Sequence, residues 1–147
     1  MSKIHWLGAG LSAIPGLKML IENDHSVIVY NRTVKKASDA LLGVKGNYQI
    51  VEFSLEAIKK NATAGDVIVS MLPGNFHVPV AELSLSLGAH FVSSSYISDE
   101  MRMLHEESLK KNLCLVNEVG LDPGIDHSMS HALVEDYKNS KVFSTEN

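Results

Sequence analysis

Glycines at positions 8 and 10 and an alanine at 13, set directly behind the apolar stretch Ile4-His5-Trp6-Leu7, have the types and spacing of a turn that receives a dinucleotide. Gly8 permits a tight turn after a strand. Gly10, lacking a Cβ, lets the backbone approach a pyrophosphate, and Ala13 keeps the following helix close to its sheet. The N–H groups of the first helical turn, at Leu11, Ser12 and Ala13, lack partners within that helix and are therefore available to phosphate oxygens without a metal.

The next chemistry-bearing residues follow the second apolar run. Asn31-Arg32-Thr33 begins 23 positions after Gly8 and contains no carboxylate to accept from a ribose diol. Arg32 instead supplies a planar cation suited to a 2′-phosphate and to an adenine face, with Asn31 and Thr33 as uncharged donors. This predicts NADP(H) rather than NAD(H). Downstream, Leu72-Pro73-Gly74 predicts a tight loop beside the pyrophosphate or nicotinamide ribose, and His77 starts the helix after it, with a partly exposed ring expected. Ser93-Ser94-Ser95-Tyr96 gathers hydroxyls that bind a carboxylate or an amide. Ser95 and Tyr96 are the candidates for that role, with turn formation and capping as the structural alternative. The segment Asn117 to His127 carries Glu118, Asp122 and Asp126 among Gly120, Pro123, Gly124 and Ile125, a loop suited to a cationic amine and the nicotinamide end. No histidine grouping has the spacing of a metal site, and hydride chemistry needs none.

These positions require a scaffold that brings them to one edge. Apolar runs at 3–7, 26–30, 48–53, 67–72, 90–93 and 113–117 alternate with helical patterns at 11–22, from 34, from 55, at 78–87, at 99–111 and from 123 to about 137. That alternation predicts a Rossmann-type doubly wound parallel sheet, three layers α/β/α, with strand order 3-2-1-4-5-6. Thr33 or Asn31 is expected to cap the second helix. Asp122 is expected to cap the last one, with Pro123 in its first position. The lone cysteine, Cys114, is expected as a buried strand thiol.

With 147 residues there is one core, burying about two thirds of the extended chain's surface. The net charge of −4 divides into +2 over residues 1–73 and −6 over 74–147, with no basic patch of the kind nucleic acid requires. No apolar run is long enough for a membrane span. A single cysteine points to a reducing cytoplasm.

Beyond these readings, the sequence resembles the saccharopine dehydrogenase family in its NADP-dependent, glutamate-forming branch. The likeness rests on Gly8-Ala9-Gly10 with Pro15, Arg32-Thr33, Phe76-His77-Val78-Pro79-Val80-Ala81, Ser95-Tyr96-Ile97-Ser98 and, most specifically, Asn117 to His127. The resemblance implies that Gly10, Leu11, Arg32, Thr33 and residues 122–127 (Asp122, Pro123, Gly124, Ile125, Asp126, His127) touch NADP(H). It implies equally that Ser95, Tyr96 and Asp122 touch an amino-acid substrate. The implied reaction interconverts saccharopine with 2-aminoadipate 6-semialdehyde and glutamate, with Asp122 near the developing positive charge. The expected organisation is an NADP-binding domain over 1–138 and a polar tail over 139–147 in which Lys141–Ser144 forms at most an added strand, with no substrate domain. Such a chain is expected to be inactive alone and to expose apolar surface that favours self-association. Two other readings are a non-catalytic NADP(H)-binding module and an imine reductase of polyamine synthesis.

Overall fold

Two apolar stripes run along each central strand, and they explain the layering. In the computed structural model, which describes residues 2–139, β1 (Ile4–Leu7) and β2 (Val27–Asn31) are buried on both faces. Because successive strand residues point to opposite faces, Trp6, Val27 and Val29 join one core. There they meet Ala13, Leu17 and Ile21 together with Ala37 and Leu41. Leu7, Ile28 and Tyr30 join the other, with Ile58, Ile68, Val80, Ala81, Phe91 and Met101. Each fully buried Leu, Ile or Phe contributes about 1.5–3 kcal/mol.

The remaining strands are β3 (Tyr48–Glu52), β4 (Val67–Ser70), β5 (His90–Ser93) and β6 (Leu115–Val116). All pairings are parallel, and the order is β3-β2-β1-β4-β5-β6, as the alternation predicted. Helices α1 (Ile14–Glu22) and α2 (Val34–Ala40) cover one face. The other is covered by α3 (Leu55–Asn61), α4 (His77–Leu87) and α5 (Asp99–Met103). Two further helices follow, α6 (His105–Lys110) and α7 (Ile125–Asn139). Ser54 and Ser98 cap α3 and α5, accepting from the N–H groups of Ala57 and Met101.

Several local expectations are corrected. The helix expected over 99–111 is broken at Leu104, whose N–H bonds the carbonyl of Met101 at 3.2 Å, one residue short of the α-helical ladder. The sixth strand is only two residues long. Cys114 lies before it and is exposed, because it alternates with Leu115, which takes the side packed against the core; its N–H is taken by His90 Nδ1 at 3.0 Å. Thr33 precedes α2 without a side-chain capping bond, and Asn31 is engaged elsewhere. The last helix starts at Ile125 rather than at Pro123. Gly120 N–H bonds the Pro123 carbonyl and Gly120 bridges Gly124, so the loop closes on itself before a helix can begin. Asp126, not Asp122, accepts from the Gly124 N–H at its start. The expectations for residues 140–147, including the Lys141–Ser144 strand, lie outside the described residues.

A buried polar cluster links three strands of the sheet. His5 Nδ1 meets the Tyr30 hydroxyl at 2.9 Å, and Nε2 meets Asp66 Oδ2 at 3.1 Å. Asp66 also accepts from the backbone N–H groups of Lys3 and Thr63 and from the Thr63 hydroxyl. Burial holds His5 below its ordinary pKa despite the carboxylate, so a neutral ring donates its Nε2–H to Asp66. Burial opposes ionisation of Asp66, but the donors from Lys3, Thr63 and His5 outweigh it and keep its pKa low. Burial pushes the Tyr30 hydroxyl up to about 12.

Candidate functional site

The carboxyl ends of the strands carry the residues singled out in the sequence. Gly8 has φ +98°, and an added Cβ would lie 2.9 Å from the Met71 carbonyl oxygen, so only glycine lets β1 turn this close to the segment after β4. Two residues on, the situation reverses: a Cβ on Gly10 would meet nothing within 4 Å. Leu11 is 92% exposed. The N–H groups of Gly10, Leu11 and Ser12 have no acceptor among the described residues, whereas Gly8 N–H is held by the Tyr30 carbonyl and Ala9 N–H by Asn31 Oδ1. Ala13 is buried and its N–H bonds Gly10, so the run of unmet donors starts at Gly10 and stops at Ser12. Three unmet donors in the turn that leads into α1 fit a pyrophosphate.

Asn31 has a different part from the free donor or cap expected of it. Its Oδ1 accepts from Ala9 N–H at 3.1 Å and its Nδ2 donates to the Thr33 carbonyl at 2.8 Å. The side chain therefore braces the glycine turn against the loop after β2. Arg32 and Thr33 are exposed on that loop, and the Arg32 guanidinium has no carboxylate partner among the described residues. Leu72 is half-buried against the core, and Pro73 is exposed, its carbonyl accepting from Phe76 N–H in a single 3-10 turn.

On the far side, Ser95 follows β5. Its carbonyl accepts from Glu118 N–H at 3.1 Å, while Glu118 Oε1 accepts from Ile97 N–H at 3.1 Å, fastening the 118–126 loop to the end of β5. Tyr96, 63% exposed, donates to Asp122 Oδ1 at 2.5 Å. That bond to Asp122, with the carboxylates of Asp126 and Glu118 adding to it, raises the Tyr96 pKa. Ser95, Tyr96 and Asp122 are thus brought together. Pro123 is buried, while Ile125 and His127 are exposed on the first turn of α7, with His127 Nε2 3.8 Å from Asp126. The two halves of the site meet through Met71, whose carbonyl leaves no room for a Cβ on Gly8 and whose sulfur accepts the Ser94 hydroxyl at 3.8 Å.

One side chain at these strand ends was undervalued in the sequence. His77, expected as a partly exposed helix start, is 5% exposed, with Nδ1 at 3.0 Å from Ser70 Oγ and Nε2 at 2.7 Å from Ser95 Oγ. The signal lay only in pairing a histidine at a helix start with hydroxyls at two strand ends. Among the described residues no group of His, Cys, Asp and Glu forms a metal site.

A parallel sheet in this order, with a glycine turn leaving donors open at its switch point, defines a Rossmann dinucleotide-binding domain. The family model for the saccharopine dehydrogenase NADP binding domain matches residues 4–116. The chain belongs to that family, and its cofactor is NADP. It is 38% identical over 127 residues to the saccharopine dehydrogenase [NADP(+), L-glutamate-forming] of Saccharomyces cerevisiae, covering 82% of this chain and 28% of that protein. It is 34% identical over 128 residues to the alpha-aminoadipic semialdehyde synthase of Arabidopsis thaliana, covering 84% of this chain and 12% of that one. A solved structure of apo saccharopine dehydrogenase (L-Glu forming) from S. cerevisiae superposes with a TM-score of 0.76 at 29% identity, over 92% of this chain and 31% of that chain. The chain therefore spans less than a third of the length of these relatives.

Proposed function

We propose that this chain is the cofactor-binding part of an NADP(H)-dependent oxidoreductase acting on the CH–NH bond of saccharopine. Residues 1–138 form the binding unit, and the substrate's remaining contacts come from outside it. The observation that carries the reading is the pair of anion sites on adjacent strand ends: open N–H groups at Gly10, Leu11 and Ser12 for a pyrophosphate, and the unpaired Arg32 guanidinium for a 2′-phosphate. Family membership and the absence of a carboxylate after β2 support it.

When bound, NADP supplies hydride transfer to or from the carbon next to nitrogen. The chain's own residues do the rest. Ser95 and Tyr96 hold the amino-acid portion of the substrate. The Asp122 carboxylate faces the nitrogen as it becomes cationic and stabilises that charge electrostatically. Leu72 and Pro73, with Pro123, Gly124, Ile125, Asp126 and His127, are the residues that would hold the nicotinamide end. Water then completes hydrolysis of the imine to semialdehyde and glutamate. Because orientation of both reactants governs the rate, the isolated chain binds NADPH but turns over slowly or not at all. This separates it from a non-catalytic module, which no added domain would activate.

The experiment is a titration of NADPH and NADH, followed by assay of NADPH oxidation with semialdehyde and glutamate before and after adding the substrate-binding portion of a related enzyme in trans. Tight NADPH binding with activity restored in trans is expected. Equal affinity for the two cofactors overturns the cofactor assignment, and absence of turnover under all complementation overturns the reaction.

A further inference from the structure

We infer that Ser70, His77 and Ser95 form a hydrogen-bond relay of fixed direction, which leaves the Ser95 hydroxyl proton free to bind a carbonyl or carboxylate oxygen of the molecule in the cleft. The inference rests on the functional reading above and goes one step deeper into the same site.

The direction follows from counting donors. A neutral imidazole has one N–H and one lone pair, and burial favours the neutral ring at His77. Ser70 Oγ is fully buried and, among the described residues, has His77 Nδ1 as its one hydrogen-bond partner. Were Nδ1 to carry the proton, the Ser70 O–H would be a buried donor without an acceptor, the costlier way to leave such a group. The Ser70 hydroxyl therefore donates to Nδ1. The ring proton then sits on Nε2 and is donated to Ser95 Oγ at 2.7 Å. With its oxygen occupied as an acceptor, Ser95 keeps its own proton, which has no acceptor among the described residues. The residue is partly exposed, and its carbonyl is already used by Glu118. A donor polarised from behind by an N–H suits an oxygen acceptor and disfavours an ammonium group. His77 and Ser70 are positioning residues, and Ser95 makes the contact. Two oxygens in the proposed ligands have this chemistry, the carboxamide oxygen of the nicotinamide and the carboxylate of an amino acid.

Long-range 1H–15N NMR on the ligand-free protein with labelled histidine reads the His77 tautomer directly. The Nε2–H form is expected, and it should persist in Ser70→Ala, where a proton on Nδ1 would have no acceptor. Binding of NADPH, of 2′,5′-ADP, which lacks the nicotinamide, and of L-glutamate in the presence of NADP(+) is then compared in wild type, Ser95→Ala, His77→Leu and His77→Gln. The Gln variant keeps an N–H where Nε2 stood. A loss of roughly tenfold in Ser95→Ala and His77→Leu, with recovery in His77→Gln, supports the relay. If it falls on NADPH but not on 2′,5′-ADP, the acceptor is the carboxamide; if it falls on L-glutamate alone, the acceptor is the carboxylate. An Nδ1–H tautomer in wild type overturns the relay, as does an Nε2–H tautomer with no probe sensitive to Ser95→Ala. Failure to bind either NADPH or 2′,5′-ADP refutes the cofactor reading, and with it the ligand half of this inference, whatever tautomer is found.

Discussion

Tyr96 and Asp122, 26 residues apart, share a hydrogen bond of 2.5 Å that joins the end of β5 to the loop before α7. The carboxylate stabilises the protonated phenol and so lifts its pKa. Asp122→Asn removes the charge while retaining an acceptor, and should bring the Tyr96 pKa back down toward 10.0. NMR titration of the Tyr96 ring measures it; an unchanged pKa would show that the two side chains do not meet in solution.

Gly8 and Gly10 give opposite outcomes for the same substitution. At Gly8 an alanine meets the Met71 carbonyl and keeps a positive φ, so Gly8→Ala should lower stability by about 1–3 kcal/mol. At Gly10 the added methyl meets open space in the free protein, and Gly10→Ala should leave the melting temperature unchanged. It should nonetheless weaken NADPH at least roughly tenfold, because the methyl stands where the pyrophosphate approaches the backbone. Thermal melts with and without NADPH separate the two effects.

Arg32→Ala should weaken NADPH by about 1–3 kcal/mol, the scale of a charge-assisted hydrogen bond, and leave NADH nearly unaffected. Equal losses for both cofactors, measured by fluorescence titration, would place Arg32 away from the 2′-phosphate.

Acid should destabilise the domain in two stages. His5 and His77 are buried and their folded pKa values are depressed, so their contribution is complete above 6.5 and is lost as pH falls through the lower folded values. Asp66, also depressed, contributes above 3.8 and loses that contribution as pH falls further. Urea midpoints followed from neutral pH downward should show both stages. Asp66→Ala should remove the second and destabilise the neutral protein by about 3 kcal/mol, since it strips an acceptor from the Lys3 and Thr63 N–H groups and from His5.

The fold was legible because its signals are local. The strand runs and the glycine turn are each set by neighbours in sequence, and parallel crossovers leave few topologies. The site was legible only in part. Ser95, Tyr96 and Asp122 could be named from their residue types, but their grouping depends on the 118–126 loop folding onto the end of β5. Its closure through Gly120 and Gly124 displaced Asp122 from the expected helix cap. His77 was harder still, since its partners Ser70 and Ser95 are set by how β4 and β5 lie side by side with Ser70 opposite Ser93. Cys114 was misread for a related reason: an apolar tetrapeptide reads as buried throughout, but Leu115 takes the side facing the core and Cys114 the open one.

The carboxamide of Asn31, caught between Ala9 and Thr33, has a consequence for how a nucleotide is received. The glycine turn and the Arg32 loop, proposed above as the two phosphate sites, are tied to each other by this one side chain, so on that proposal their mutual arrangement is set during folding rather than at the encounter. Affinity in such a cradle is governed by the match between two fixed anchor points and the span of the ligand. A nucleotide that satisfies one anchor but falls short of the other gains little from the second.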